Sequence, residues 1–562
     1  MTQDRWTVGS YLAHRLHDIG LRHYFSVPGD FNLVLLDELL TNPGLQMVGC
    51  CNELNAGYAA DGYARATGGP AAVVVTYSVG GLSLLNAVAG AYAEDLPVIA
   101  ISGGPNTNSE AEYELLHHTL GHVDYGYQQE IFARVTAHTE VLRHPGLAPE
   151  QIDRALDIAM LRRKPVYIEV ACNIAGEVTS GPVARGFARS PISDPQALEA
   201  AIAHAAKRLD AAKRPVLVAG SQVRAGQAQA ALQALATASG YAQAAMPDAK
   251  SLLSEQSPAY MGLYWGPVST PGCGEIVESS DAPLFVGPKF TDYTTTGHHL
   301  AFNQSQAIIV EPQAVRLGSA LYSSVQMTDF LEGLAKAITP NAAAVKAFER
   351  VRQDKVAPQP GPPERALTVR QLFQRIQGLL QADSCLLVET GDSWFNGLDL
   401  TLPEGARFEI QMQYGSIGWS VGATLGYALG QAEGRLIACI GDGSFQLTAQ
   451  EVSTMIRYGA DPIIFLINNR GYSIEVEIHD GPYNKIKNWN YADLVQVFSA
   501  GEGQAWSARV ETEGELDAAL ETAKAQAGLC FIEVMIEPDD CNVNLLRWGN
   551  AVAKNNSRKT RC

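Results

Sequence analysis

Charge is scarce in this sequence, and positive charge is scarcer still. Charged residues make up 18% of the 562 residues, against about 25% in ordinary soluble chains. With 41 Lys+Arg against 59 Asp+Glu the net charge is −18; so acidic a chain repels polyanions, and nucleic acid is not an expected partner. Long apolar runs are missing too. Stretches such as Ile463–Ile467 fall far short of the ~20 residues of a membrane-spanning helix, so no membrane partner is expected. The opening MTQDRWTVGS lacks the basic and then apolar order of a secretory signal, which leads us to expect a cytoplasmic protein. The nine cysteines are odd in number and form no close-set zinc spacing. A bond between the neighbours Cys50 and Cys51 would be strained, so reduced thiols are the expectation. Glycine, by contrast, is plentiful: 52 residues, above the usual ~7%.

At ~150 residues per domain the length suggests three or four domains. Two proline-rich stretches, Ser180–Gln196 (SGPVARGFARSPISDPQ) and Val356–Arg365 (VAPQPGPPER), read as semi-rigid spacers. They place domains at 1–186, 187–358 and 359–562. Each piece alternates short apolar runs with helical periods. The runs include Ala71–Thr76, Leu96–Ser102, Arg214–Ala219, Ala282–Val286, Ser384–Glu389, Arg435–Ile440 and Pro462–Ile467. Continuous apolar runs of this length between helices indicate parallel strands buried on both faces. The expected fold class is therefore α/β, three domains with parallel sheets flanked by helices. TYSVGGLSLLNAVAGAYAEDLPVIAISGG in the first piece echoes MQYGSIGWSVGATLGYALGQAEGRLIACIGDG in the third, as two related domains would.

The chemistry concentrates at strand ends. RLIACI runs into Gly441-Asp442-Gly443-Ser444, a helix follows, and DPIIFLIN ends at Asn469-Arg470-Gly471-Tyr472. That is a βαβ unit with polar groups at both carboxyl ends, where open parallel sheets bind ligands. The glycines let backbone approach a phosphate, and the helix N-terminus offers free N–H groups. Asp442, the Asn469 side-chain oxygen and the backbone carbonyl of Gly471 are hard ligands suited to Mg²⁺. The spacing of GDG, 24 residues, then NN is the thiamine-diphosphate motif. In the first piece, Glu53 stands in CCNELNAGYAADGYARA at a strand-to-helix turn, where the helix dipole favours an acid. His117-His118 in LLHHTLGHVDY, Asp30 in SVPGDFNLVLLDELL and Glu475, six residues beyond Asn469, complete the set of titratable candidates.

These motifs, with TYSVGG, ETGDSWFN, GSIGWSVGA and NNRGYSIEVEIHDGPYNKIKNWNYADL, resemble the thiamine-diphosphate-dependent 2-oxo-acid decarboxylases, of the bacterial type, across nearly the whole chain. The resemblance implies decarboxylation of pyruvate to acetaldehyde and CO₂ through a thiamine-diphosphate ylide and enamine, with Mg²⁺ as second cofactor. It implies that Glu53 meets the cofactor's aminopyrimidine, and that Asp30, His117, His118 and Glu475 handle protons. Cofactor contacts would come from Thr390, Gly391, Asp392, Gly415, Ile417, Gly441, Asp442, Gly443, Ser444, Asn469, Gly471, Tyr472 and Ile474. Trp394, Tyr293, Ile474 and Ile478 would confine the substrate, the Trp394 indole favouring a short aliphatic 2-oxo acid. An aromatic 2-oxo acid is the rival substrate; acetohydroxyacid synthesis and a non-catalytic scaffold fit less well. A homodimer is implied as the minimum unit, with a homotetramer as the common assembly, and the basic tail AVAKNNSRKTRC as a cover for the site.

Overall fold

The computed structural model describes residues 5–184, 186–187, 191–353 and 358–557. Parts of both proline-rich spacers, and the basic tail beyond Ser557, lie outside the described residues. The apolar runs form strands as expected, shifted by a residue or two: Ala71–Val75, Val98–Gly104, Pro215–Ala219, Ala282–Val286, Cys385–Val388, Leu436–Gly441 and Ile463–Asn468.

Two six-stranded sheets and one seven-stranded sheet organise the chain. The N-terminal sheet runs Gln46–Gly49, His23–Ser26, Ala71–Val75, Val98–Gly104, Val166–Ala171, Thr139–Leu142, all parallel. The C-terminal sheet runs Arg407–Ile410, Cys385–Val388, Leu436–Gly441, Ile463–Asn468, Leu529–Met535, Ala505–Val510, again all parallel. Counted by chain order within each sheet, both read 2-1-3-4-6-5, so the echo between the first and third pieces is a repeat of topology. The middle sheet keeps five parallel strands and then adds Ala314–Leu317 and Ala320–Ser323 antiparallel. The links there are only Pro312-Gln313 and Gly318-Ser319; two-residue connections allow hairpins but no crossover. Among the described residues no helix is long and apolar enough to cross a membrane.

The first and third domains share one apolar core. A single cluster runs from Phe25, Val73 and Tyr63 to Trp419, Leu425, Ile464 and Phe531. At its centre, helix Glu53–Thr67 and helix Trp419–Gly430 lie side by side, their backbones touching at Gly426 against Ala59 and at Gly62 against Ala423. Gly422, Gly426 and Gly430 recur every fourth residue, one face of a helix. A Cβ on Gly426 would sit 1.7 Å from the Ala59 carbonyl oxygen, and one on Gly62 only 2.1 Å from that of Ala423. Beside this contact Arg65 bridges the domains, reaching Asp61 at 2.7 Å, Glu94 at 3.3 Å and Glu409 at 3.4 Å while packing over Trp419. Burial pushes the Asp61 and Glu94 carboxyls up, against the pull of Arg65. Buried charges of this kind stabilise little but penalise every other docking, because an unpaired partner would remain buried.

Gly426→Ala forces the two backbones apart. The expected loss of stability is about 1–3 kcal/mol, at the upper end because the opposing atom is backbone. Urea unfolding with an unchanged midpoint would show that the helices tolerate a methyl group.

Candidate active site

The adjacent strands Leu436–Gly441 and Ile463–Asn468 deliver the third domain's polar groups to one edge. Asp442 is fully buried at the start of helix Asp442–Thr448. Its Oδ1 accepts from Gly443 N at 2.7 Å and its Oδ2 from Arg470 N at 2.6 Å. Burial nevertheless pushes its carboxyl up to about 7, with the N–H donors pulling the other way.

The Asn469 amide can face this carboxylate in two ways. With its NH₂ toward Asp442 it donates to Oδ1 at 3.1 Å and to the Gly471 carbonyl at 2.9 Å, its oxygen accepting from Ser473 Oγ. With its oxygen there instead, three oxygens converge at those separations with no hydrogen between them. Octahedral Mg²⁺ with ligands at about 2.0–2.1 Å separates neighbouring oxygens by about 2.9 Å. Both separations from the Asn469 oxygen therefore suit neighbouring ligands of one Mg²⁺ shell.

The cleft around them is lined by Thr390, Gly391, Asp392, Ile417, Gly441, Asp442, Gly443, Ser444, Asn469, Gly471, Tyr472, Ile474 and Glu475. Thr390 turns a buried hydroxyl into it that has no hydrogen-bond partner. Gly443 is needed for closeness: a Cβ there would lie 2.3 Å from the Tyr472 ring. Asp392 accepts from Asn542 N at 2.9 Å and Asn396 Nδ2 at 2.7 Å, yet burial pushes it up to about 7. A helix start, an orphaned hydroxyl and convergent oxygens at the ends of adjacent strands suit a Mg²⁺-bound diphosphate.

The remaining expected residues frame this cleft. Tyr293, from the middle domain, lies 3.1 Å from the position of a Cβ on Gly415. The Glu475 charge and, above all, burial raise the Tyr293 phenol. Trp394, read from the sequence as a pocket wall, is fully buried and meets Tyr293 edge to face at 5.6 Å. Ile478, at the far end of helix Ser473–Ile478, is partly buried against the core shared by the middle and third domains.

The first domain gathers a second group. Asp30 Oδ2 lies 2.8 Å from His117 Nε2, and Asp30 Oδ1 lies 3.7 Å from His118 Nε2. Phe31 stacks on His117 at 4.9 Å. Asp30 and His117 are more than half exposed in the single chain. Glu53 opens its helix behind the Asn52 cap, its Oε1 3.2 Å from where a Cβ on Gly80 would stand. A buried polar network holds this group from beneath. The Tyr127 hydroxyl donates to the His118 carbonyl at 3.1 Å and also meets Ser78 Oγ. Gln128 accepts from the backbone N–H of Ser78, a residue held at φ 57. Gln128 then bonds Tyr167, whose hydroxyl donates to Glu169 at 2.6 Å.

Sequence reasoning passed over the residues that hold others in place. Glu451, in the third domain, is buried and accepts from Asn55 Nδ2 at 2.8 Å and Cys51 N at 3.3 Å, tying down the turn that carries Glu53. Glu389, Gln128 and Glu169 were likewise not singled out. Their one signal is an acid or amide inside or ending an apolar run, as in SCLLVE and VYIEVA.

Fold and cleft together define an enzyme that holds thiamine diphosphate through Mg²⁺. Residues 6–131 match the family described as "Thiamine pyrophosphate enzyme, N-terminal TPP binding domain", residues 202–334 its central domain and residues 394–534 its C-terminal TPP binding domain. Pyruvate decarboxylase 2 of Oryza sativa subsp. japonica is 50% identical over 562 residues, covering 98% of this chain and 92% of its own length. Pyruvate decarboxylase 1 of Pisum sativum is 50% identical, covering 98% and 94%. Pyruvate decarboxylase 2 of Arabidopsis thaliana is 50% identical, covering 98% and 92%. The chain belongs to the pyruvate decarboxylase family of thiamine pyrophosphate enzymes.

Burial raises Glu169 from 4.5 to about 7. A carboxyl raised in the folded state favours folding when protonated. Its contribution is full below about pH 4.5 and is lost as pH rises through about 7. Glu169→Gln mimics the protonated acid, so the variant should gain stability relative to the parent between pH 5 and 8. Thermal unfolding midpoints with an unchanged difference across that range would contradict the assignment.

Proposed function

We propose that this chain decarboxylates pyruvate to acetaldehyde and CO₂ without oxidation, using thiamine diphosphate and Mg²⁺. The observation that carries the reading is the convergence of Asp442, Asn469 and the Gly471 carbonyl at the ends of two neighbouring parallel strands. The relatives named pyruvate decarboxylase, at 50% identity over nearly the whole chain, support the choice of substrate.

Thiamine diphosphate, when bound, supplies a nucleophilic carbon and an electron sink, which no side chain offers. The protein's own part is positioning and proton traffic. Asp442, Asn469 and Gly471 would hold the metal, and the N–H groups following Gly441 would face the diphosphate. Ile417 and Gly415 would meet the rings, and the Glu53 carboxylate would share a proton with the aminopyrimidine. Glu475, at the cleft's edge, would hand a proton to the carbon that loses CO₂. Asp30, His117 and His118 lie within hydrogen-bonding distance or close to it. They would carry further protons. Tyr293, braced by Trp394 and Trp548, would limit the pocket to a short aliphatic chain.

A homodimer is the smallest working unit in this reading, and a homotetramer the natural assembly. Asp30 and His117 are open to water in the single chain. Apolar side chains nearby in sequence are also exposed, among them Leu33, Val34, Leu115 and Leu120. Around the third-domain cleft the same holds for Leu447, Tyr483 and Trp489. Covering both sets with a second copy would dry the site. Free thiols throughout the described residues fit a reducing, cytoplasmic setting.

Glu475→Gln should keep cofactor affinity and lose at least ~100-fold in turnover, as the loss of a general acid does. In this reading each site takes Glu53 from one copy and Glu475 from the other, so mixing that chain with a Glu53→Gln chain should restore activity through the one intact site of each mixed dimer. Near-normal turnover of Glu475→Gln would remove its proton role, and no recovery on mixing would place Glu53 and Glu475 of one chain in the same site.

A further inference from the structure

Glu389 ends the strand Cys385–Val388 and is 1% exposed. A carboxylate so deeply buried needs a full set of partners, and it makes no ion pair among the described residues. Backbone and hydroxyl donors take that place. Its Oε1 accepts from Thr390 N at 2.7 Å. Its Oε2 accepts from Gly418 N at 3.1 Å, Ser420 N at 3.1 Å and Ser420 Oγ at 2.6 Å.

The two oxygens thus grip two different walls of the cleft. One is the Thr390–Asp392 turn, which brings the partnerless Thr390 hydroxyl and Asp392 to the cleft. The other is the Gly415–Gly418 turn that brings Ile417 and leads into helix Trp419–Gly430. Both turns need glycines in the left-handed region, Gly391 at φ 128, Gly415 at φ 66 and Gly418 at φ 86. Each turn has its own anchors. On one side Gln411 accepts from Ser416 N at 2.8 Å and Thr448 Oγ1 donates to the Gly418 carbonyl at 2.7 Å; on the other Asn542 N donates to Asp392 at 2.9 Å. The Glu389 side chain links the two.

We propose that Glu389 is a positioning residue that fixes the distance between the Thr390–Asp392 and Gly415–Ile417 turns, and with it the grip of the cleft on the rings of thiamine diphosphate. The assignment rests on the reading of this cleft as the thiamine-diphosphate site. It makes no contact with substrate and moves no proton. Its charge matters because only a carboxylate accepts on both oxygens. In Glu389→Gln one of them becomes an NH₂ group, and an N–H then faces an N–H. If the amide keeps Gly418 and Ser420, the Thr390 turn is released. Ser420→Ala loosens the opposite wall, removing the shortest of the bonds to Oε2.

The test uses the full chain, stripped of cofactor and metal and then titrated with thiamine diphosphate at saturating Mg²⁺. Binding is followed by tryptophan fluorescence, and the near-ultraviolet circular dichroism of the bound aminopyrimidine reports its setting. Glu389→Gln should unfold close to the wild-type temperature, bind the cofactor ~10–100-fold more weakly, as loss of an orienting partner does, and give an altered dichroism. At saturating cofactor kcat should fall while KM for pyruvate changes little. Ser420→Ala should shift the same readouts less, and the double variant should fall short of the sum. Should Glu389→Gln fail to fold, Ser420→Ala decides. Wild-type affinity and dichroism in the folded variants, with only a lower unfolding temperature, would make Glu389 a plain anchor and overturn the proposal while the cofactor reading stands. A wild-type chain that binds no thiamine diphosphate would overturn both.

Discussion

Helices Glu53–Thr67 and Trp419–Gly430 meet backbone to backbone, and the rest of the site depends on that contact. They run in the same direction, with Tyr58 beside Gly422 and Ala66 beside Gly430. Their N-termini therefore lie at one end, where the Tyr58 hydroxyl meets Ser416 Oγ at 2.5 Å. Glu53 is the first residue of one helix, and the Gly415–Gly418 turn leads straight into the other. A side chain between the backbones would move both groups at once. Arg65 adds direction to the contact through its acidic partners in both domains.

Polar groups around the site are held by buried acids more than by cations. Glu451 ties down the turn carrying Glu53, Glu169 supports the turn at Ser78 through Tyr167 and Gln128, and Glu389 joins two walls of the cleft. Each accepts from backbone or neutral donors, so no local cation offsets these acids, which are already part of the −18. An anionic substrate is then not drawn by the protein's overall field. Attraction must be local, from Mg²⁺ and from N–H groups at helix starts. The same acids raise the need for a cation where Asp442, Asn469 and Gly471 turn their oxygens together.

Much of this was legible from the residues alone, for a physical reason. Parallel strands buried on both faces are continuous apolar runs, and runs such as AAVVV and LIACI appear within a residue or two of their expected ends. The GDG and NN segments lie at the ends of adjacent parallel strands, as their pattern suggested. The antiparallel extension of the middle sheet was not, since two-residue links look like any other turn. Trp394, expected as a wall, is buried and meets Tyr293 edge to face, a neighbour that a sequence does not reveal. Glu389, Gln128, Glu169 and Glu451 escaped notice for a related reason: their partners are backbone groups and neutral side chains brought together only by folding.

The most direct measurement of the central claim is product formation from pyruvate by the full chain, first stripped and then supplied with thiamine diphosphate and Mg²⁺. The account requires CO₂ and acetaldehyde in equal amounts, with activity absent when either cofactor is withheld. Turnover that persists without them, or a loaded protein that leaves pyruvate intact, would contradict it.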